Sequence, residues 1–170
     1  MITVPQMFFA YFAVSMTVLS LLIITARNPV NSVLWMLAMF FHIAALYLFL
    51  NAEFLAAVQL ILYAGAILVL FLFVIMMLNL KKEIAGMRYV KGWPAAAVFA
   101  AAVMLLIYFP INKLIQGPVG RYTIEAIRAE TNSRVLGRVL YTDYLFPFEI
   151  ASLILLVAIV GAMVLAKRRT

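Results

Sequence analysis

The chain contains no cysteine and a single histidine. Disulfides, iron–sulfur clusters and thiolate zinc sites are therefore excluded, and the chain carries no redox equipment of its own. Charge is scarce too: 11% of the 170 residues are Asp, Glu, Lys or Arg, against about 25% in a soluble domain. Internal repeats, Gly/Ser linkers and low-complexity segments are missing. What is present is apolar: 68% of residues are hydrophobic and the mean hydropathy is +1.15. The composition is that of a polytopic membrane protein. A net charge of +7 in such a chain reflects flanking Lys and Arg that set topology, so nucleic acid is not an expected partner.

The longest uncharged stretch runs from Phe54 to Leu78 (FLAAVQLILYAGAILVLFLFVIMML). A helix of that length spans roughly 37 Å at about 1.5 Å per residue, more than the roughly 30 Å hydrocarbon core requires. Gln59 and Tyr63 lie four apart and are expected on one face. Ala64, Gly65 and Ala66 follow directly. Glycine lowers the barrier to a backbone irregularity, and small residues let a neighbouring helix approach. Polar groups, a weak point and surplus length thus coincide at mid-membrane depth. A tilted helix with a packing notch is the plainer reading of the same residues.

Taken in order, the apolar runs predict an all-α integral membrane protein. It is a single membrane domain, 1–170, with helices over about 7–26, 30–50, 54–78, 93–111 and 145–166. Arg27-Asn28-Pro29 separates the first two, Pro suiting a helix's first turn. Asn51-Ala52-Glu53 leaves room for a tight turn alone, so the second and third helices are antiparallel neighbours. Residues 79–92 read as a polar loop. Trp93 and Tyr108 fall near the two ends of the fourth span, where aromatic rings favour the interface. Residues 112–144 read as an external loop. Within it Val135, Leu136, Val139 and Leu140 recur at helical spacing, with Arg134 and Arg138 on another side, as in a short surface helix.

Orientation follows from the cations. With the N-terminus outside, one side holds Arg27, Lys81, Lys82, Arg88, Lys91, Lys167, Arg168 and Arg169, in about 21 loop residues. The other side holds Lys113, Arg121, Arg128, Arg134 and Arg138, in about 42. The density differs roughly threefold, which predicts an external N-terminus and a cytoplasmic C-terminus.

Few side chains carry chemistry. Glu149 is the one charge inside the predicted spans, and an intramembrane carboxylate is a functional candidate by default. It also suits a headgroup-level charge paired with Arg138 or a lipid. Glu53, at the mouth of the third helix, suits a solvated charge at a helix N-terminus, with a proton-path role as the alternative. His42 has no second ligand at metal spacing and reads more as a hydrogen-bonded packing residue than as a proton relay. Gln59 and Tyr63 do not change charge near neutral pH but can hold water. Ala158, Ala162 and Ala166 form a small-residue stripe suited to a partner helix. The residues leave two function classes open: a pore or carrier acting alone, or a coupling subunit of a larger membrane enzyme. A lone transporter usually shows repeats and several broken helices, which favours the subunit.

The stretch Ala52–Leu80 (AEFLAAVQLILYAGAILVLFLFVIMMLNL) resembles the signature helix of subunit J of proton-translocating NADH–quinone oxidoreductase, complex I. That family is the counterpart of mitochondrial NADH dehydrogenase chain 6. Arg27-Asn28-Pro29-Val30 resembles the family's break between helices one and two, and Tyr141–Ser152 (YTDYLFPFEIAS) the start of its fifth helix. Residues 81–140 vary most, as loops and a lipid-facing helix do. The resemblance implies a non-redox membrane-arm subunit of the bacterial inner membrane, neighbouring A-, H-, K- and N-type subunits. FMN, iron–sulfur clusters and quinone would belong to those partners. It also implies a π-bulge around Tyr63 to Ala66, whose rotation opens and closes a water path, with Gln59, Tyr63, Ala64, Gly65 and Ala66 as gating residues. Some members carry glutamate where this chain has Gln59. A carboxylate role would then fall to Glu53, Glu149 or a neighbouring subunit, with His42 a further candidate. Ferredoxin- or F420-linked relatives and a stand-alone small ion carrier remain the alternatives.

Overall fold

The computed structural model describes residues 3–78, 92–111 and 123–167. The described chain is helical throughout, without strands. Helix α1 spans Val4–Thr25 and α2 spans Pro29–Phe49. Helix α3 spans Glu53–Met77, α4 Trp93–Ile111, α5 Ile124–Glu130, α6 Asn132–Tyr141 and α7 Leu145–Ala166. α1, α2, α3 and α7 are long and apolar enough to cross a membrane, and α4 contributes a shorter apolar stretch. The predicted loop over 79–91 lies outside the described residues, as do residues 112–122 of the predicted external loop.

Local chemistry explains the helix ends. The Thr3 backbone N–H donates to Gln6 Oε1 at 2.9 Å, half of a capping box that carries α1 back to Val4 rather than Met7. The Asn28 side chain accepts from the Val30 N–H at 3.0 Å, with Pro29 as the first residue of α2. Asn51 takes the left-handed conformation at φ 58° between α2 and α3, a geometry that asparagine tolerates better than most residues.

α2 is the centre of the packed unit, with α1 and α3 against it. Bilayer hydrocarbon is as apolar as leucine, so close packing and polar bonds between helices must hold the unit together. Val33, 1% exposed, and Ala44 of α2 are buried at these contacts. Ser32 Oγ donates to the Ile23 carbonyl at 2.7 Å, tying α2 to α1. α6 packs on α3 and α7. α7 touches no other described helix but α6, and α4 packs on none. The predicted surface helix is thus present as α6, with α5 as a second, shorter one before it.

Candidate functional site

The middle of α3 is not an α-helix. From Gln59 to Ile67 it is a nine-residue π-helix, and the Leu68 N–H donates to the Tyr63 carbonyl five residues back. π-helical turns are rare and concentrate at functional positions. The irregularity covers all of Gln59, Tyr63, Ala64, Gly65 and Ala66 and extends beyond them at its C-terminal end. Gly65 lies inside it, and a Cβ built there would stand 3.4 Å from the Leu60 carbonyl oxygen of the same helix, a close but ordinary contact.

The π register changes which side chains meet α2. Ala56, Gln59, Ala64 and Leu68 are buried, so the buried stripe takes a five-position step from Gln59 to Ala64. Gln59 is 6% exposed and is the one buried polar side chain among the described residues. Tyr63 is 46% exposed, its ring edge-on to Phe40 of α2 with centroids 5.9 Å apart. The two residues expected to share a face therefore share it unequally. The added π residue turns the buried face past Tyr63 towards Ala64. Gly65 and Ala66 are exposed, so no described helix fills a notch there. The Gln59 amide makes no hydrogen bond with another described residue.

His42 stands apart from this segment, against α1. Its Nδ1 lies 2.8 Å from the Ala38 carbonyl, and its Nε2 lies 3.2 Å from Tyr11 Oη. It is half-buried, with both ring nitrogens engaged between α1 and α2. Phe8 and Phe12 of α1 stack against Phe49 nearby, at 5.2 and 6.4 Å.

Glu53 is exposed in the first turn of α3 and lines a 140 Å³ cavity with Asn51, Arg128, Thr131 and Asn132. Arg128 Nη2 donates to Asn51 Oδ1 at 2.9 Å, and Asn132 Nδ2 donates to the Asn51 carbonyl at 3.2 Å. This clamp on the α2–α3 turn escapes a reading based on hydropathy. No helical spacing announces it, because the chain breaks at Thr131 (φ 72°) between Arg128 in the last turn of α5 and Asn132 at the start of α6. Glu149 is exposed near the start of α7. Arg138, open to it as a partner alongside a lipid, pairs instead with Glu130 at 3.0 Å, because the α5–α6 turn brings Glu130 back over α6. Among the described residues no three His, Asp or Glu side chains gather as metal ligands. The stripe Ala158, Ala162 and Ala166 is exposed, with no other described helix packed on it.

Comparison with known proteins places these features in a family. A profile described as NADH-ubiquinone/plastoquinone oxidoreductase chain 6 matches residues 19–165. Chain 6 of NADH-ubiquinone oxidoreductase from Marchantia polymorpha is 36% identical, over 95% of this chain and 86% of that protein. Subunit J of NADH-quinone oxidoreductase from Rickettsia bellii is 36% identical, over 95% and 80%. Subunit J from Rhodobacter capsulatus is 35% identical, over 94% and 80%. The segment Gln59–Ile67, with its π geometry and buried glutamine, lies well inside the matched region. The chain belongs to the chain 6/subunit J family of NADH-quinone oxidoreductase, complex I.

Proposed function

We propose that this chain is the non-redox coupling subunit in the membrane arm of a proton-translocating NADH:quinone oxidoreductase, with the π segment of α3 as a two-state gate. The observation that carries the reading is the nine-residue π-helix in mid-span, with Gln59 buried inside it. Such a segment holds about one residue more than an α-helix of equal length. Converting it to α turns Leu68–Met77 by roughly 100° against the start of α3. Tyr63, at the border of the α2 contact, would then exchange places with Ala64. Gln59 remains neutral in both states and holds water rather than a proton. Quinone chemistry in the neighbouring subunits would drive the turn, and proton transfer would follow the water path that it opens. FMN, iron–sulfur clusters and quinone belong to partners in the assembled enzyme, and A-, H-, K- and N-type subunits are the expected neighbours in a bacterial inner membrane.

The same reading takes the chain through five spans. Arg128 and Asn132 bond to Asn51, so residues 123–141 lie at the bundle end that holds the α2–α3 turn. α3 leaves at the opposite end. A chain returning to residue 123 must cross once more, and the 19-residue apolar α4 is the element between. The N-terminus and the α5–α6 segment then share one side, and the cation-rich 79–91 loop and the C-terminus share the other. By the positive-inside rule the first side is external. Cysteines introduced at Gly86 and Gly120 test this in a chain without native cysteine. Reagent outside intact cells should label Gly120→Cys and spare Gly86→Cys, and the reverse pattern overturns the orientation.

Gly65→Val tests the gate. A β-branched side chain beside the Leu60 carbonyl stiffens the π turn and favours one state. The complex should assemble and oxidise NADH with an artificial acceptor that bypasses quinone. Quinone-linked turnover and the proton gradient should fall together. Normal assembly with pumping at the wild-type rate and stoichiometry would show that the small residues are a packing notch.

A further inference from the structure

At the other end of the α1–α2–α3 unit lies a cavity of 450 Å³ with Arg27, Thr25 and Pro29 at its mouth and Met36, Phe71 and Ile75 along its wall. From this cavity we infer that the chain holds an anionic phospholipid, its phosphate on Arg27 and one acyl chain between α2 and α3. The volume falls within the roughly 300–1,000 Å³ of ordinary ligand sites.

The polarity of the cavity is graded along the helix axes. Met36 lies about 10 Å into α2 from Pro29, and Ile75 and Phe71 lie about 3 and 9 Å in from the end of α3, at 1.5 Å rise per residue. A ligand seated here meets a cation at the helix ends and only apolar surface deeper in, the order in which a phospholipid presents its headgroup and tail. The hydroxyls at the mouth donate elsewhere: Thr25 Oγ1 to the Leu21 carbonyl at 2.6 Å and Ser32 Oγ to the Ile23 carbonyl at 2.7 Å. The Arg27 guanidinium is exposed and pairs with no described residue. It is the free donor group at the mouth, and its planar fork matches phosphate geometry. Basic pockets between membrane helices hold anionic headgroups on these grounds. The other cations on the same side of the predicted topology raise the local concentration of such lipids.

The experiment uses the full-length tagged chain, extracted in mild detergent with whatever it assembles with, and counts phospholipid retained per chain after detergent exchange. Wild type should keep an anionic phospholipid and Arg27→Lys should stay close to it. Arg27→Gln should retain about fivefold less, the effect of one surface cation. Met36→Trp keeps every charge but fills the groove, and it should lose the lipid too. Vesicles of phosphatidylglycerol should restore the lipid to stripped wild type, and phosphatidylcholine vesicles should not. Three results overturn the inference: equal retention in all variants, release of the retained lipid by inorganic phosphate alone, or loss of a co-purifying subunit from Arg27→Gln with its lipid unchanged. The readout is lipid per chain and does not depend on the gate.

Discussion

α1, α2 and α3 press small and polar residues against one another, whereas α4 and α7 present almost unbroken apolar surface to their surroundings. In the first group Val33, Ala44, Ala56 and Ala64 are buried, and Ser32, His42 and Tyr11 bond across helices. In the second group the described side chains of α4 are exposed, and so is nearly every residue of α7. The bilayer gives no net hydrophobic push between helices, so the difference separates two jobs. The first three helices hold each other, and the π segment of α3 lies against α2. α7 carries a small-residue stripe that no described helix fills, and among the described helices it meets α6 alone.

The largest expected effect tests that division on α7. Ala162→Leu enlarges the centre of the Ala158–Ala162–Ala166 stripe without adding charge. If a partner subunit packs there, overpacking of roughly 1.4 kcal/mol should lower assembly of the complex about tenfold. The chain's own α1–α2–α3 contacts should be unchanged, as read by cross-linking between cysteines at Ser20 and Met39, whose side chains meet at 3.7 Å in wild type. Full assembly of Ala162→Leu in the membrane would mean that α7 faces lipid, and the two groups of helices would differ in composition alone.

Much of the helix pattern was legible because it rests on length and hydropathy. Apolar runs mark the same stretches that the structure folds into long apolar helices, and the ends differ by a few residues where capping rather than hydropathy decides, as at Thr3 and Gln6. The π segment was legible in part. Gly65 and the surplus length marked a weak point, and the resemblance placed a bulge at Tyr63 to Ala66. Its full extent from Gln59 to Ile67 depends on how α3 seats on α2, which residue spacing does not encode. The unequal burial of Gln59 and Tyr63 follows from the same register shift, since an α period was assumed. The Asn51 clamp was not legible, because it joins residues 77 and 81 positions apart through segments that hydropathy treats as loop. Arg138 and a lipid are both open to Glu149 on sequence alone, and the α5–α6 turn gives Arg138 to Glu130 instead.

An intermediate effect concerns that clamp, which ties α3 of the packed group to α6 and through it to α7. Arg128→Ala removes an exposed charge-assisted bond of about 1 kcal/mol. The α2–α3 turn should open more often. A cysteine placed at Ala52 should be modified about fivefold faster in Arg128→Ala than beside the native arginine, since RT is about 0.6 kcal/mol. Arg128→Lys should recover part of the protection. An unchanged rate would mean that the turn is held by its own left-handed Asn51 and by α2 and α3, so that the packed group stands without α6.

The smallest effect sharpens the other side of the comparison. Glu149 sits on α7 and is exposed, and its carboxylate has no partner among the described residues, though its carbonyl accepts from Ser152 Oγ at 2.7 Å. A carboxylate near the start of a spanning helix is costly in hydrocarbon unless something pairs with it. Within the reading of α7 as a docking helix, that partner is a donor on another subunit. Glu149→Gln keeps the shape and one hydrogen bond and loses the charge. Polar contacts between membrane helices average about 0.6 kcal/mol, so assembly or turnover should fall by about threefold at most. The ratio of protons moved to quinone reduced should not change, because a docking contact does not carry the proton. Continued electron transfer with pumping abolished would place Glu149 on the proton path, and α7 would then join the gate of α3 as a working helix.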